Sequence, residues 1–172
     1  MSTGDRRRVI TPRRDAIAYH EAGHAVVGYT QGLRFSRIYV GDVSGRVVFD
    51  DQWSEDAVLG DAELLDRYAL MLLAGTSAEF RHTGTVVGAT GDIAALASLL
   101  HRAGDRGTVP RPDRWRRADA EAARQWPAIA AVADELAYRG TPVANLATLL
   151  ARHPELGATV DEVTGARVRQ LL

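Results

Sequence analysis

His20, Glu21 and His24 stand in the order His-Glu-Ala-Gly-His near the start of a 172-residue chain, which is the H-E-x-x-H spacing used by zinc hydrolases. Four residues make about one helical turn, so on a helix both imidazoles share a face and can direct nitrogens at one metal ion. Glu21 lies about 100° further round and is poorly placed as a third ligand of that pair. It can instead reach a water on the metal. Zinc lowers the pKa of such a water to about 7, and a carboxylate that takes its proton makes it a nucleophile toward a peptide carbonyl.

The competing explanation is a core helix whose histidines are satisfied by ordinary hydrogen bonds. By composition alone the pattern arises by chance on the order of once in two hundred chains of this length. Its surroundings favour chemistry: from Ala16 to Tyr29 every other residue is Ala, Gly, Val, Ile or Tyr, so the helix is expected to be buried on most sides. An unpaired ionised carboxylate there is costly, whereas a metal and its water give it a partner. Two histidines do not complete a zinc site. The extended form H-E-x-x-H-x-x-G-x-x-H fails because Val27 and Thr30 occupy its last two defined positions, which places the third ligand far downstream.

Composition narrows the alternatives. Cysteine is absent, which excludes disulfides, thiolate zinc sites and a thiol nucleophile and leaves His and carboxylate to hold any metal. All 21 basic residues are arginine, and without lysine neither a phosphate-binding G-x-x-x-x-G-K-[ST] loop nor a Schiff-base mechanism is available. Any activity is therefore expected to be independent of ATP. A net charge of -1 gives no general attraction to nucleic acid, and the three tryptophans are too scattered to form a base-stacking platform. The longest apolar runs fall well short of the roughly 20 residues that span a bilayer, and no hydrophobic signal core follows the N-terminal arginines. A cytoplasmic protein without a membrane span is the expectation.

The elements that must position the chemistry follow from apolar spacing and breakers. One helix is predicted from about Arg13 to Gln31, entered at Pro12 and stopped by Gly32. Two short β-rich runs, "RFSRIYVG" and "GRVVFDD", flank the turn "GDVSG". A second helix, "DAELLDRYALMLLAGTSAEFRH", starts at Asp61 as its cap and carries Gly75 in its middle, a sign of close packing. The glycine-rich "TGTVVGATGD" leads into "DIAALASLLHRAG". Two helical pieces meeting at Pro127 come next, followed by short helices from Pro142 and Val160.

The order of these segments resembles one family, the FtsH-type zinc metallopeptidases. "AYHEAGHAVV" is similar to their zinc helix, "LLAGTSAEF" to their Gly-Arg-Ala-Ala-Glu helix, and "TGTVVGATGDIAALA" to the loop and helix in which a Gly-Ala-x-x-Asp-Leu segment carries a ligand. The likeness covers about Arg13 to Leu100. It implies that His20, His24 and Asp92 bind zinc and that Glu21 is the catalytic base. Thr76 and Ser77 stand in place of the family's Arg-Ala, and the ATPase module and membrane anchor that accompany this domain in the family are not present in the sequence. Glu79 matches a family glutamate and is either a partner that orients a ligand or a surface or cap-bound carboxylate. An Asp after Gly at a helix start is often just a first-turn charge favoured by the helix dipole, and the motif around Asp92 favours ligation.

His82, His101 and His153 fall near predicted helix ends and are read as structural. Trp53, Trp115 and Trp126 are read as packing residues, and the stripe Leu64, Leu65, Tyr68, Leu72 as core. The expectation is a mainly α domain over residues 13–172, packed around the H-E-x-x-H helix with a small β element, preceded by a flexible basic tail over residues 1–12. Its expected function is a soluble zinc endopeptidase acting on peptides or unfolded polypeptide, working alone or with a separate ATPase or adaptor partner. The alternative is a catalytically silent zinc-binding module that works by protein interaction.

Overall fold

A computed structural model describes residues 12–41, 43–49, 54–104 and 110–139. Residues 1–11 of the expected basic tail, the two C-terminal helices, Trp53 and His153 lie outside the described residues, and Pro12, the last residue of that tail, is the first of α1. Within them the chain is mainly helical, in the order α1 (Pro12–Thr30), β1 (Phe35–Val40), β2 (Gly45–Phe49), α2 (Glu55–Gly60), α3 (Ala62–Thr83), α4 (Thr90–Arg102), α5 (Pro112–Arg124) and α6 (Trp126–Arg139).

The ends of the two long helices follow from local chemistry. Pro12 opens α1, where its missing N–H costs nothing. At the other end Gly32 takes φ +79°, Leu33 N donates to Gly28 O at 2.9 Å and Gly32 N to Tyr29 O at 3.0 Å. This double bond pattern caps the final carbonyls, and Leu33 is buried beyond it. Asp61 caps α3 by accepting from Glu63 N at 2.9 Å and Leu64 N at 3.2 Å. Gly84, at φ +74°, ends that helix with its N–H on Phe80 O.

Helix α1 packs along α3, and this pair forms the centre of the fold. Helices α5 and α6 pack against the pair, and the β hairpin lies against α1. In the hairpin β1 and β2 run antiparallel with Ile38 opposite Val47 and Val40 opposite Gly45, and the register shifts between Phe35 and Arg37. Ile38 is fully buried and ties the hairpin to the core. The Leu65 and Leu72 stripe is core as expected, with Leu64 and Tyr68 at its margin. Helix α2 has no counterpart in the sequence reading. It is six residues long, held by a Ser54 cap on Ala57 N and by the buried Val58, which is too short to display a helical period.

The crossing of α1 and α3 depends on Gly23. A Cβ there would lie 2.6 Å from Ala74 O, 2.7 Å from Ala78 Cβ and 3.0 Å from Gly75 Cα. A helical glycine costs about 1 kcal/mol relative to alanine in propensity, so its presence reflects the approach of the two backbones. Gly23→Ala should destabilise the protein by about 1–3 kcal/mol despite its better helix propensity, because the helices must separate to admit the methyl. The shift in urea midpoint relative to the parent measures this, and an unchanged or raised midpoint would contradict the packing account.

Candidate metal centre

Histidines 20 and 24 project from α1 and meet Asp92, which stands in the first turn of α4. His20 Nε2 lies 2.8 Å from Asp92 Oδ2, His24 Nε2 lies 3.3 Å from the same oxygen, and the two Nε2 atoms are 2.9 Å apart. Ligands of a tetrahedral ion with bonds of about 2.0–2.1 Å are about 3.3 Å from one another. The three atoms thus have nearly the spacing that one small ion would impose, and they could hold a metal. Nitrogen and carboxylate donors in this number suit a divalent transition metal.

The far side of each ring strengthens this. His24 Nδ1 is 3.0 Å from Met71 O, and a carbonyl can only accept, so that nitrogen carries the hydrogen. His20 Nδ1 is 2.9 Å from Glu79 Oε2, another acceptor. Each neutral imidazole therefore turns a bare Nε2 lone pair toward the other and toward Asp92. Three electron-pair donors at this separation repel unless a cation lies among them. A metal ion resolves the conflict, and in its absence a proton must.

Glu79 is 2% exposed, which rules out the surface or cap-bound reading of this residue. Its Oε1 accepts from Val87 N at 2.7 Å and its Oε2 more distantly from Gly88 N at 3.4 Å. Burial would raise its pKa, but the bonds from His20 and Val87 N outweigh this and hold it below the usual glutamate range. It thus fixes the His20 tautomer and ring orientation, as carboxylates behind metal-binding imidazoles do. The same bonds fold the glycine-rich loop back over the end of α3, and that fold brings Asp92 over His20.

Two further glycines shape the site. A Cβ on Gly75 would collide with the ring of His24, and one on Gly45 would collide with the carboxyl group of Glu21. Gly75 therefore makes room for the His24 ring in the middle of α3. Glu21 is 7% exposed and lies under the start of β2. No described residue donates a hydrogen bond to it. Burial raises its pKa, opposed by the nearby charges of His24 and His20.

One side of the centre is open. His20, Glu21, Glu79 and Asp92 line a cleft of about 720 Å³, bounded by the hairpin turn at Val43–Gly45 and by the Thr83–Gly88 segment. Asp92 keeps 27% of its side chain exposed there, whereas His24 is buried behind it. The other histidines stay apart. His82 stacks on Tyr19 with centroids 3.6 Å apart and pairs with Asp15 at 2.5 Å, so it packs helices together instead of bonding terminal carbonyls. His101 is exposed in the last turn of α4. Trp126 stacks on Tyr19 beneath Arg81, and Trp115 packs at the core margin. Sequence reading passed over Gly45, the Val87 amide and Met71 O, because a steric gap and two backbone groups leave no residue-type signature.

No protein-family model matches this chain, and no curated protein matches it.

Two measurements test the centre. Asp92→Ala should abolish tight zinc binding, whereas Glu79→Ala should weaken it by about 10- to 100-fold, as read by competition with a chelating dye. The reverse order would make Glu79 the ligand.

The second measurement is the pH dependence of stability in protein stripped of metal. Burial alone would lower the pKa of His20, but hydrogen bonds to Asp92 and Glu79 overcome it and push it up to about 9. Asp92, whose burial acts in the opposite sense to its bonds from His20 and His24, is held far below the usual carboxylate range. The raised histidine contributes stability that is complete below about pH 6.5 and is lost as pH rises through about 9. The depressed aspartate contributes stability that is complete above about pH 3.8 and is lost toward lower pH. Melting temperature in chelator should therefore fall from pH 6.5 to 9, and zinc should remove that fall by replacing the proton. A flat alkaline profile in chelator would show that no proton occupies the centre.

Proposed function

We propose that the protein is a zinc-dependent endopeptidase of FtsH-like type that cleaves peptides or unfolded polypeptide without ATP. The observation that carries this is the position of Glu21. A buried carboxylate with no hydrogen-bond donor among the described residues faces the same cleft as His20 and Asp92. A purely structural zinc centre is closed by four protein ligands, whereas His20, His24 and Asp92 would supply three and leave room for a water beside Glu21.

Zinc held by His20, His24 and Asp92 would supply Lewis acidity, polarising a carbonyl and lowering the pKa of water to about 7. Glu21 takes a proton from the attacking water onto a carboxylate oxygen. As the carbon–nitrogen bond breaks, it passes that proton to the departing amine. Burial strengthens Glu21 as a base by raising its pKa. Glu79 keeps His20 Nδ1 protonated and so keeps Nε2 turned inward. The hairpin turn and the Val87 segment wall the cleft and limit water to the side from which substrate enters. A cleft open on that side suits an extended chain better than a folded surface, because the reacting carbonyl must reach a recessed base. Among the described residues no helix is long and apolar enough to cross a membrane.

Glu21→Gln tests the proposal. The amide is nearly the same size but cannot accept a proton, so hydrolysis of an unfolded substrate should fall by about 100- to 10,000-fold. Zinc content and melting temperature should stay at the parent's values. Retention of the parent rate would remove Glu21 from the chemistry. Failure of the zinc-loaded parent to cleave any of a broad set of unfolded substrates would leave a zinc-binding interaction module as the better account.

A further inference from the structure

The cleft has a second charged end that the hydrolytic chemistry does not use. Arg13 lines it together with Ala16, Ile17, His20 and Glu21. Seven residues on a helix amount to about 700°, within about 20° of two full turns, so Arg13 and His20 share one face of α1 about 10 Å apart along its axis. Between them Ala16 and Ile17 form an apolar floor. Val43, 68% exposed, and Val87, 70% exposed, stand on the two walls. The cleft is thus bipolar: Glu21, Glu79 and Asp92 crowd the inner end, and a guanidinium stands at the outer end.

Arg13 has no evident structural task. Its Nη2 donates to Val43 O at a long 3.3 Å, and no described carboxylate pairs with it. A guanidinium carries five N–H donors, and one long bond to Val43 O leaves most of them without a described partner beside the cleft that Arg13 lines. As a cation in the first turn of α1 it opposes the helix dipole, so it does not stabilise the helix that carries it. A single planar fork fits a carboxylate with two parallel bonds. Phosphate groups are instead taken by clusters of arginine, and the inner carboxylates would repel a doubly charged group more strongly.

The geometry points to Arg13 as a specificity-determining residue that holds a carboxylate of the substrate peptide, on the reading of the cleft as a peptidase site. An extended chain advances about 3.3 Å per residue, so about 10 Å sets that carboxylate about three residues from the bond over the metal centre. The intervening side chains lie over Ala16 and Ile17 and between Val43 and Val87, which favours apolar residues there. The carboxylate belongs either to an Asp or Glu side chain or to the peptide's C-terminus.

The test measures binding, so that it does not depend on turnover. Zinc-loaded Glu21→Gln protein is titrated into three fluorescent peptides of one apolar sequence. One carries an internal Asp and an amidated end, the second Asn and a free C-terminus, and the third Asn and an amidated end. At least one acidic peptide should bind about five- to tenfold tighter than the neutral one, and which one does so identifies the source of the carboxylate. Arg13→Ala should bring the ratio to about one and Arg13→Glu should invert it, with unchanged melting temperatures. Equal binding of all three peptides to protein bearing Arg13, or a preference that survives in Arg13→Ala, overturns the assignment. Parent protein assayed in parallel for hydrolysis separates the two ideas: an Arg13-dependent acidic preference without turnover removes the peptidase reading and keeps carboxylate recognition.

Discussion

The close crossing of α1 and α3 is the constraint on which the rest depends. Gly23 lets the backbones meet, and Gly75 opposite clears the volume that the His24 ring fills. With the helices at this separation, Met71 O reaches His24 Nδ1 and Glu79 reaches His20 Nδ1. A wider crossing would lose both contacts, and the imidazoles would be free to turn their other nitrogens inward. Packing density and imidazole orientation are here a single property, because close-packed interiors have no spare volume in which a ring can choose its own position.

Charge is arranged around that crossing in a graded way. Three carboxylates, from Glu21, Glu79 and Asp92, surround two imidazoles in a region mostly sealed from water. Each carboxylate meets a different environment. Glu79 is saturated by donors and is held as an anion, Asp92 is bonded by both histidines, and Glu21 has burial without donors. The first two are therefore committed to negative charge, and the third stays responsive to protons. Groups of one chemical type placed in divergent environments can divide the roles of orienting, ligating and proton transfer.

The loop between α3 and α4 converts local helix chemistry into site geometry. Thr83 Oγ1 donates to Glu79 O and accepts from Thr85 N, and Val87 N then closes onto the Glu79 carboxylate. The carboxylate that orients His20 thus also anchors the segment that delivers Asp92. Gly88 packs near both Glu79 and His20. This economy explains why the loop is rich in glycine and poor in bulky polar side chains: its backbone amides do the bonding, and its side chains would obstruct the cleft.

The sequence by itself determined the local parts: the start of α1 at Pro12, its stop at Gly32, the Asp61 cap, the hairpin and the core stripe of α3 are all readable because each depends on neighbours within a few residues. The pairing of His20 with His24 was legible for the same reason, since one helical turn is a local distance. Asp92 was legible as a ligand only through the motif around it, and Glu79 only as a residue with two equal readings. Tertiary structure sets what each one faces, because whether a carboxylate meets an imidazole 59 or 72 positions away depends on how helices cross and not on the residue's own type. Only the fold could show that Gly45 makes room for Glu21, that His82 stacks on Tyr19, or that Arg13 shares a cleft with His20. Those facts concern empty volume and direction in space, and a one-dimensional chain encodes them only through all of its contacts at once.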